Sequence, residues 1–363
     1  MTGVGTPFLA SIFTSDAFGY LFDYFVWWAL FLSLILHTWC FFQCFPRKRL
    51  RRIGLVLGNS LVFLCLLGSV AMVAESYLRF VAVYTDSFGV SLPARRWFAL
   101  HTSLNSMGCR DHEWSIEKPA GVRRIAFVGD SYTYGWGIER VADRFTDLIQ
   151  ARFDEQEPGA VEVMNVAKPG WSTADEIRPI HDMITVYGAD EIVLCYVPND
   201  IEDLIPTTDS FNPTRPPDYQ FINLDSSPLL DYLYRRLYLP LVPTVRGYHD
   251  WLAKGYADEG IWRAHVEQLN GIVTFCRTHD VSLRVVLLPF LVTSGKKFDG
   301  WRIRARLRRM FEASNVPVID LGQLMADRGV NPRSFVVNAL DAHPNEAAHA
   351  LFARAVWAAF YAR

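Results

Sequence analysis

Hydrophobic and polar positions follow two different patterns along the chain, and the change between them divides it. Tyr24 to Phe45 is a run of 22 residues without a formal charge, and Ile53 to Ala74 is another of 22. At a helical rise of about 1.5 Å per residue each reaches roughly 33 Å, enough to cross the hydrocarbon core of a bilayer. Uncharged apolar runs of that length are rare in soluble domains, so two transmembrane helices are predicted, at about 24–45 and 53–74.

From about Arg124 the pattern changes to short β-branched runs alternating with helical periodicity, which predicts a parallel sheet covered by helices on both faces. The strand candidates are Arg124 to Val128, Val161 to Val166, Glu191 to Val197, Leu283 to Leu288 and Val316 to Leu321. A closing helix shows Phe352, Val356 and Phe360 at four-residue spacing, with Pro344 suited to its first turn. The expected architecture is an α/β class, three-layer α/β/α sandwich around a five-stranded parallel sheet, with chemistry at the carboxyl ends of the strands. Residues 1–80 then form a membrane anchor, 81–120 a connector without a readable role, and 121–363 the main domain. That domain carries an excursion at about 201–260 with seven prolines and nine Phe, Tyr or Trp residues. A short helix is expected at Leu229 to Leu239, and the excursion reads either as a lid or substrate wall or as a segment packed over the sheet edge.

Composition adds orientation rather than class. The 363 residues are 51% apolar, 14% aromatic and 20% charged, with a formal net charge of -2, which excludes a disordered or fibrous chain and gives no electrostatic reason to bind nucleic acid. The near-neutral total hides one asymmetry: Pro46 to Arg52 holds five positive charges in seven residues, whereas the first 23 residues hold no Lys or Arg. The positive-inside rule places that short loop in the cytoplasm, with both termini and the main domain outside a bacterial inner or plasma membrane. A cleaved signal peptide fits poorly, because the positive leading region is missing and the apolar run is long. Of the six cysteines, Cys40, Cys44 and Cys65 lie in or at the spans, while Cys195 and Cys276 read as small buried hydrophobes. Neither a disulfide framework nor a CxxC zinc pattern is visible, Cys109 included.

The strand beginning at Arg124 runs directly into Gly129-Asp130-Ser131-Tyr132. A serine there, entering a helix at the top of a parallel sheet, is exposed beside free amides that favour negative charge. Three further features follow other strands in chain order. Gly170 comes after the second, with a backbone N–H unobstructed by a side chain, so that a bulky replacement is expected to block approach. Asn199 comes after the third, and Asp341-Ala342-His343-Pro344 lies near the C-terminus. Each has an ordinary structural explanation by itself, as turn, cap or helix start. Together they converge on one end of the sheet.

In that ordered set the sequence resembles the SGNH (GDSL-type) hydrolase superfamily over about Arg124 to Arg363, whose blocks supply Ser, Gly, Asn and His in this order. The resemblance implies an SGNH/flavodoxin-like fold, Ser131 as nucleophile and His343 as its general base. It also implies an oxyanion hole made by the N–H groups of Ser131 and Gly170 with the Asn199 side chain. The usual pattern has Asp three residues before the His, but Leu340 holds that position and Asp341 stands two before. Periplasmic polysaccharide O-acetyltransferases of the alginate-modification type also show Asp-x-His, and Asp341 is therefore the candidate for orienting His343. Asp320 is a rival with a structural role expected, as is His349, and Asp130 and Asp200 read as loop-bracing acceptors.

The chemistry agrees with that assignment, since a serine hydroxyl needs a positioned imidazole and its oxyanion needs preorganised donors. Phosphate-loop, dinucleotide, zinc-helix and EF-hand motifs are missing, so neither a cofactor nor a metal is implied. The expected activity is a membrane-tethered serine esterase cleaving an acyl ester, such as an O-acetyl group on a surface glycan or an acylated lipid. Tyr132, Tyr134, Trp136 and Trp171 flank the site and could stack on a sugar, although aromatics beside a sheet are more often core. The bilayer and the ester substrate are the expected partners, and sequence is silent on protein partners. The alternatives are an O-acyltransferase for an envelope polysaccharide with the same residues, and a non-catalytic membrane-anchored scaffold. Retention of Ser131, Gly170, Asn199 and His343 together speaks against the scaffold.

Overall fold

A computed structural model of the protein describes residues 15–44, 51–208, 226–293 and 298–362. They fall into two compact units. The first comprises the described residues of Met1–Tyr84, Val90–Arg96 and Asp218–Tyr238, and the second those of Thr85–Gly89, Trp97–Pro217 and Leu239–Arg363. Most of the connector, 81–120, groups with the second unit. Arg110 shows why: its buried guanidinium donates to the carbonyls of Gly135 at 2.8 Å and Ile138 at 2.7 Å, and lies 5.2 Å from the Trp97 ring.

In the first unit, α1 (Ser15–Cys44) and α2 (Arg51–Phe80) contain the apolar stretches Leu21–Cys44 and Gly54–Phe80, each long and apolar enough to cross a membrane. Phe25, Leu36, Leu55, Phe63 and Val70 are exposed, and helices apolar on all sides suit lipid rather than water. Glycines on α2 let the two helices approach closely, for a Cβ at Gly68 would lie 2.8 Å from the Phe31 ring. The second helix continues past the expected end at Ala74, where the two charges of its last six residues are satisfied. Glu75 and Arg79 pair at 2.7 Å, Glu75 accepts from Ser227 Oγ and Leu229 N, and Arg79 donates to the Ser226 carbonyl. The basic segment used for orientation lies partly outside the described residues, which omit 45–50.

The excursion at about 201–260 is divided between the two units. The described residues of Asp218–Tyr238 group with the N-terminal helices, while the 15-residue helix α6 (Pro243–Ala257) was not foreseen. Its inward face carries His249, Trp251, Leu252, Gly255 and Tyr256, and a histidine and a glycine on that face erase the apolar period a sequence would show. The anticipated short helix is α-helical only over Pro228–Leu233, with a π turn at Tyr234–Tyr238.

The second unit is built on β1 (Arg123–Gly129), β2 (Val161–Ala167), β3 (Glu191–Tyr196), β4 (Ser282–Leu287) and β5 (Val318–Asp320), all parallel in the order β2-β1-β3-β4-β5. Strand alternation splits the core in two. Ile125 and Phe127 pack with α4 (Phe145–Gln156) and α10 (Glu346–Phe360) through Phe145, Ile149, Phe352 and Val356. Ala126 and Val128 face α5 (Thr173–Thr185), α7 (Glu259–Thr278) and α8 (Gly300–Ala313) through Ile180, Leu269, Val273 and Leu307. The remaining labelled helices are α3 (Ser131–Tyr134), α6 (Pro243–Ala257) and α9 (Leu321–Asp327). This is the three-layer sandwich expected. The fifth strand is three residues long rather than six, and a two-stranded antiparallel ribbon, β6 (Val336–Asn338) with β7 (Asp341–Pro344), was not foreseen. Pro344 ends β7 instead of occupying the first turn of α10, whose N-cap is Asn345.

Candidate active site

The strand order reverses between β1 and β3, and in open α/β sheets the crevice at such a reversal is where ligands bind. Ser131 follows β1 and Asn199 follows β3, so both stand at that crevice. Ser131 is the first residue of the single turn α3, whose N-cap Asp130 accepts from Tyr132 N at 2.9 Å. The turn packs tightly against the strand: a Cβ at Gly129 would meet Thr133 Oγ1 at 2.3 Å, and Gly135 ends the turn at φ +76°.

His343 arrives on β7. Its Nε2 lies 2.9 Å from Ser131 Oγ, and its Nδ1 lies 2.6 Å from Asp341 Oδ1, which also accepts from His343 N at 3.1 Å. With the Nδ1 proton held by the carboxylate, Nε2 faces the serine as an acceptor. The imidazole is stacked by Trp136, with centroids 5.2 Å apart and planes at 26°, and touched edgewise by Tyr132 at 5.6 Å. Asp341 Oδ2 accepts from the Thr85 hydroxyl.

Asn199 donates from Nδ2 to Asp130 Oδ2 at 3.0 Å, while its Oδ1 is buried without a partner. Gly170 occupies the turn after β2, exposed, at φ +78°. Among the described residues no hydrogen bond joins it to the other four, and the space around its Cβ position is open. The left-handed backbone is an independent reason for glycine at this position, and the open space beside it leaves the N–H accessible.

Asp200 and Glu176 lie fully buried nearby. Burial pushes both carboxyls well above the usual range, reinforced at Glu176 by the charges of Asp130 and Asp175 and at Asp200 by those of Glu176 and Asp130, and Asp130 rises in the same direction by burial. Both Glu176 oxygens lack a partner, as suits a neutral carboxyl. Asp200 accepts from Val197 N at 2.9 Å, and Asp130 and Asp200 brace their loops as expected. Asp320 pairs with Arg304 at 2.7 Å and caps α9, and His349 accepts from Phe145 N at 3.1 Å. Tyr132, Tyr134 and Trp136 are buried at 6%, 4% and 8% exposure, so they form core and imidazole support rather than a sugar platform. Sequence gave no sign of Thr85 or of Glu176. Among the described residues no group of three or more His, Cys, Asp or Glu is arranged to hold a metal.

Comparison with known proteins bears on the same region. Residues 127–351 match the GDSL-like Lipase/Acylhydrolase family. Solved structures with a similar chain trace include the psychrotrophic esterase EstA from Pseudoalteromonas sp. (12% identity, TM-score 0.39, covering 65% of this chain and 96% of that one). Another is a lipolytic G-D-S-L family member from Veillonella parvula (17%, 0.38, 66% and 98%). A third is a catalytic mutant of the acetylxylan esterase Axe2 from Geobacillus stearothermophilus (13%, 0.41, 68% and 98%). No curated protein matches. Since the family match spans more than half of the sequence, the chain belongs to the GDSL-like lipase/acylhydrolase family and is a serine hydrolase of the esterase type.

Proposed function

We propose that the protein is a membrane-tethered esterase in which Ser131 attacks the ester carbonyl, His343 takes the serine proton, and an acyl-Ser131 intermediate is released by water. The single observation carrying this is the unbroken chain from Ser131 Oγ through His343 to Asp341, at 2.9 and 2.6 Å. The serine becomes nucleophilic as its proton passes to Nε2, and Asp341 stabilises the imidazolium that forms. The same imidazolium returns the proton to the leaving alcohol. The N–H groups of Ser131 and Gly170, with the Asn199 amide, are assigned to the tetrahedral oxyanion, where loss of one donor costs about 10²- to 10³-fold. Asn199 suits that role because Asp130 already fixes its amide orientation.

For the substrate we put first an O-acetylated glycan of the cell envelope. What supports it is Trp171, half-buried beside Gly170, with the Lys168 ammonium 5.5 Å from its ring centroid. The anchoring role of residues 1–80 rests on the two long apolar helices, and the placement of the hydrolase domain, 121–363, outside the cytoplasm rests on the five positive charges at 47–52.

Two measurements test this. Wild type hydrolyses a small aryl acetate and is labelled by a serine-reactive fluorophosphonate, while Ser131→Ala does neither; equal behaviour of the two proteins removes the catalytic assignment. Incubation with acetylated polysaccharide releases free acetate, whereas acetyl transfer to added glycan in excess of hydrolysis would make the enzyme a transferase. For the topology, alkaline phosphatase fused after Phe80 is active and fused near Arg49 inactive; the reverse pattern places the enzyme in the cytoplasm.

A further inference from the structure

The carboxylate that holds His343 is itself held from a segment far away in sequence. Asp341 is 1% exposed, and its Oδ1 is committed twice to His343, to Nδ1 and to the backbone N–H. Its Oδ2 is satisfied by the hydroxyl of Thr85, also 1% exposed. Thr85 opens the segment Thr85–Gly89, which runs along the β6–β7 ribbon. Ser87 N donates to the Leu340 carbonyl at 3.0 Å, Ala342 N donates to Ser87 Oγ at 3.2 Å, and Asn338 Nδ2 donates to the Thr85 carbonyl at 2.9 Å. The same segment supports the other side of the imidazole. Trp136, which stacks on His343, donates from its indole N–H to the Asp86 carbonyl at 3.2 Å. Gly89 leaves room for that indole, since a Cβ there would lie 2.6 Å from Trp136 Cη2.

A buried carboxylate with one oxygen free both loses stabilisation and gains freedom to rotate about its Cβ–Cγ bond. Rotation would turn Oδ1 away from Nδ1, so the second oxygen's partner decides how well the first is aimed. We propose that Thr85 is a positioning residue of the hydrolytic site, acting through Asp341 by donating its hydroxyl to Oδ2. The proposal rests on the assignment of Ser131, His343 and Asp341 to catalysis, and it adds a fourth member supplied by the stretch directly after the second apolar helix.

The test uses the full-length protein and five variants, Ser131→Ala among them, with kcat and KM on the aryl acetate normalised to folded protein. Thr85→Val keeps the shape and removes the donor. It lowers kcat roughly 10- to 100-fold with KM nearly unchanged, as expected for a misaimed catalytic group. Thr85→Ser restores the hydroxyl and most of kcat. Thr85→Cys, a weaker donor of similar size, loses kcat in the same direction and serves where Thr85→Val does not fold. Ser87→Ala loosens the same segment without touching Asp341 and keeps kcat near wild type. An unchanged kcat in the Val and Cys variants, or a loss that Ser does not repair, overturns the proposal; so does a Ser87→Ala loss equal to that of Thr85→Val, which would mean general support of the ribbon. A readout independent of hydrolysis separates the two levels: the His343 Nδ1–H proton resonance shifts in Thr85→Val and returns in Thr85→Ser. If that resonance stays put, Thr85 does not position Asp341. An active Ser131→Ala overturns the catalytic assignment, whatever the resonance does.

Discussion

Asp341 and His343 stand two residues apart, a spacing that points side chains to different faces of a helix and to one face of a strand. Because Asp341–Pro344 is a strand, carboxylate and imidazole project together, and the shortened Asp-x-His interval needs no distortion. The carboxylate fixes which nitrogen of the ring carries the proton. Asp341→Asn keeps the shape but can present its NH₂ to Nδ1, and this favours the tautomer in which Nε2 carries the proton and no longer accepts from Ser131. The expected loss in kcat is on the order of 10³- to 10⁴-fold with KM little changed, read on the aryl acetate. A loss below tenfold would mean that Asp341 only braces the ribbon. Trp136 adds a second constraint on the ring by stacking, so the imidazole is held both in its plane and across it.

Each site residue owes its place to the end of an element: Ser131 to the end of β1, Gly170 to the turn after β2, Asn199 to the loop after β3, and His343 to β7. At Gly170 the requirement is conformational. Its φ of +78° with open space around the Cβ position makes the cost of substitution a backbone cost, about 1–2 kcal/mol for an ordinary residue and less for Asn, which tolerates the left-handed region. Gly170→Asn therefore unfolds in denaturant nearer to wild type than Gly170→Val does, and the opposite order would show that the left-handed backbone does not set the cost. The elements differ in how legible they are from sequence. The buried strands β1 to β4 announce themselves because every layer around them is apolar, and the residues following β1, β2 and β3 could be read from strand ends alone. The ribbon β6–β7 is only three and four residues long with half-buried faces, too short for alternation to register. Thr85 carries no pattern at all, since its role exists only once Asp341 is brought beside it across 256 positions of chain.

In the second unit, taken whole, two sets of buried groups set opposite pH limits on stability. His249 and His265 are pushed down to about 4 by burial, and His349 down to about 3 by burial and by the nearby Arg144 and Arg110. The folded chain thus binds fewer protons than the unfolded one between those values and the ordinary 6.5, so stability present above about pH 6.5 is lost progressively as pH falls. The acids act in the other direction. Glu176 and Asp200 are raised well above their ordinary values, and Glu202 up to about 7, mainly by burial. The folded chain holds protons there that the unfolded chain has released, so stability falls as pH rises above about 4.5. The two slopes overlap, and the melting temperature is expected to peak at about pH 5–6 and to decline on both sides. Replacing Glu176 by Gln removes one of the acid contributions while keeping a neutral group of the same shape, so that variant melts higher than wild type at pH 8 and differs little from it at pH 5. A melting temperature that climbs steadily through pH 8 in wild type, or a Glu176→Gln variant that melts lower there, would show that Glu176 is ionised in the folded protein and paired through water.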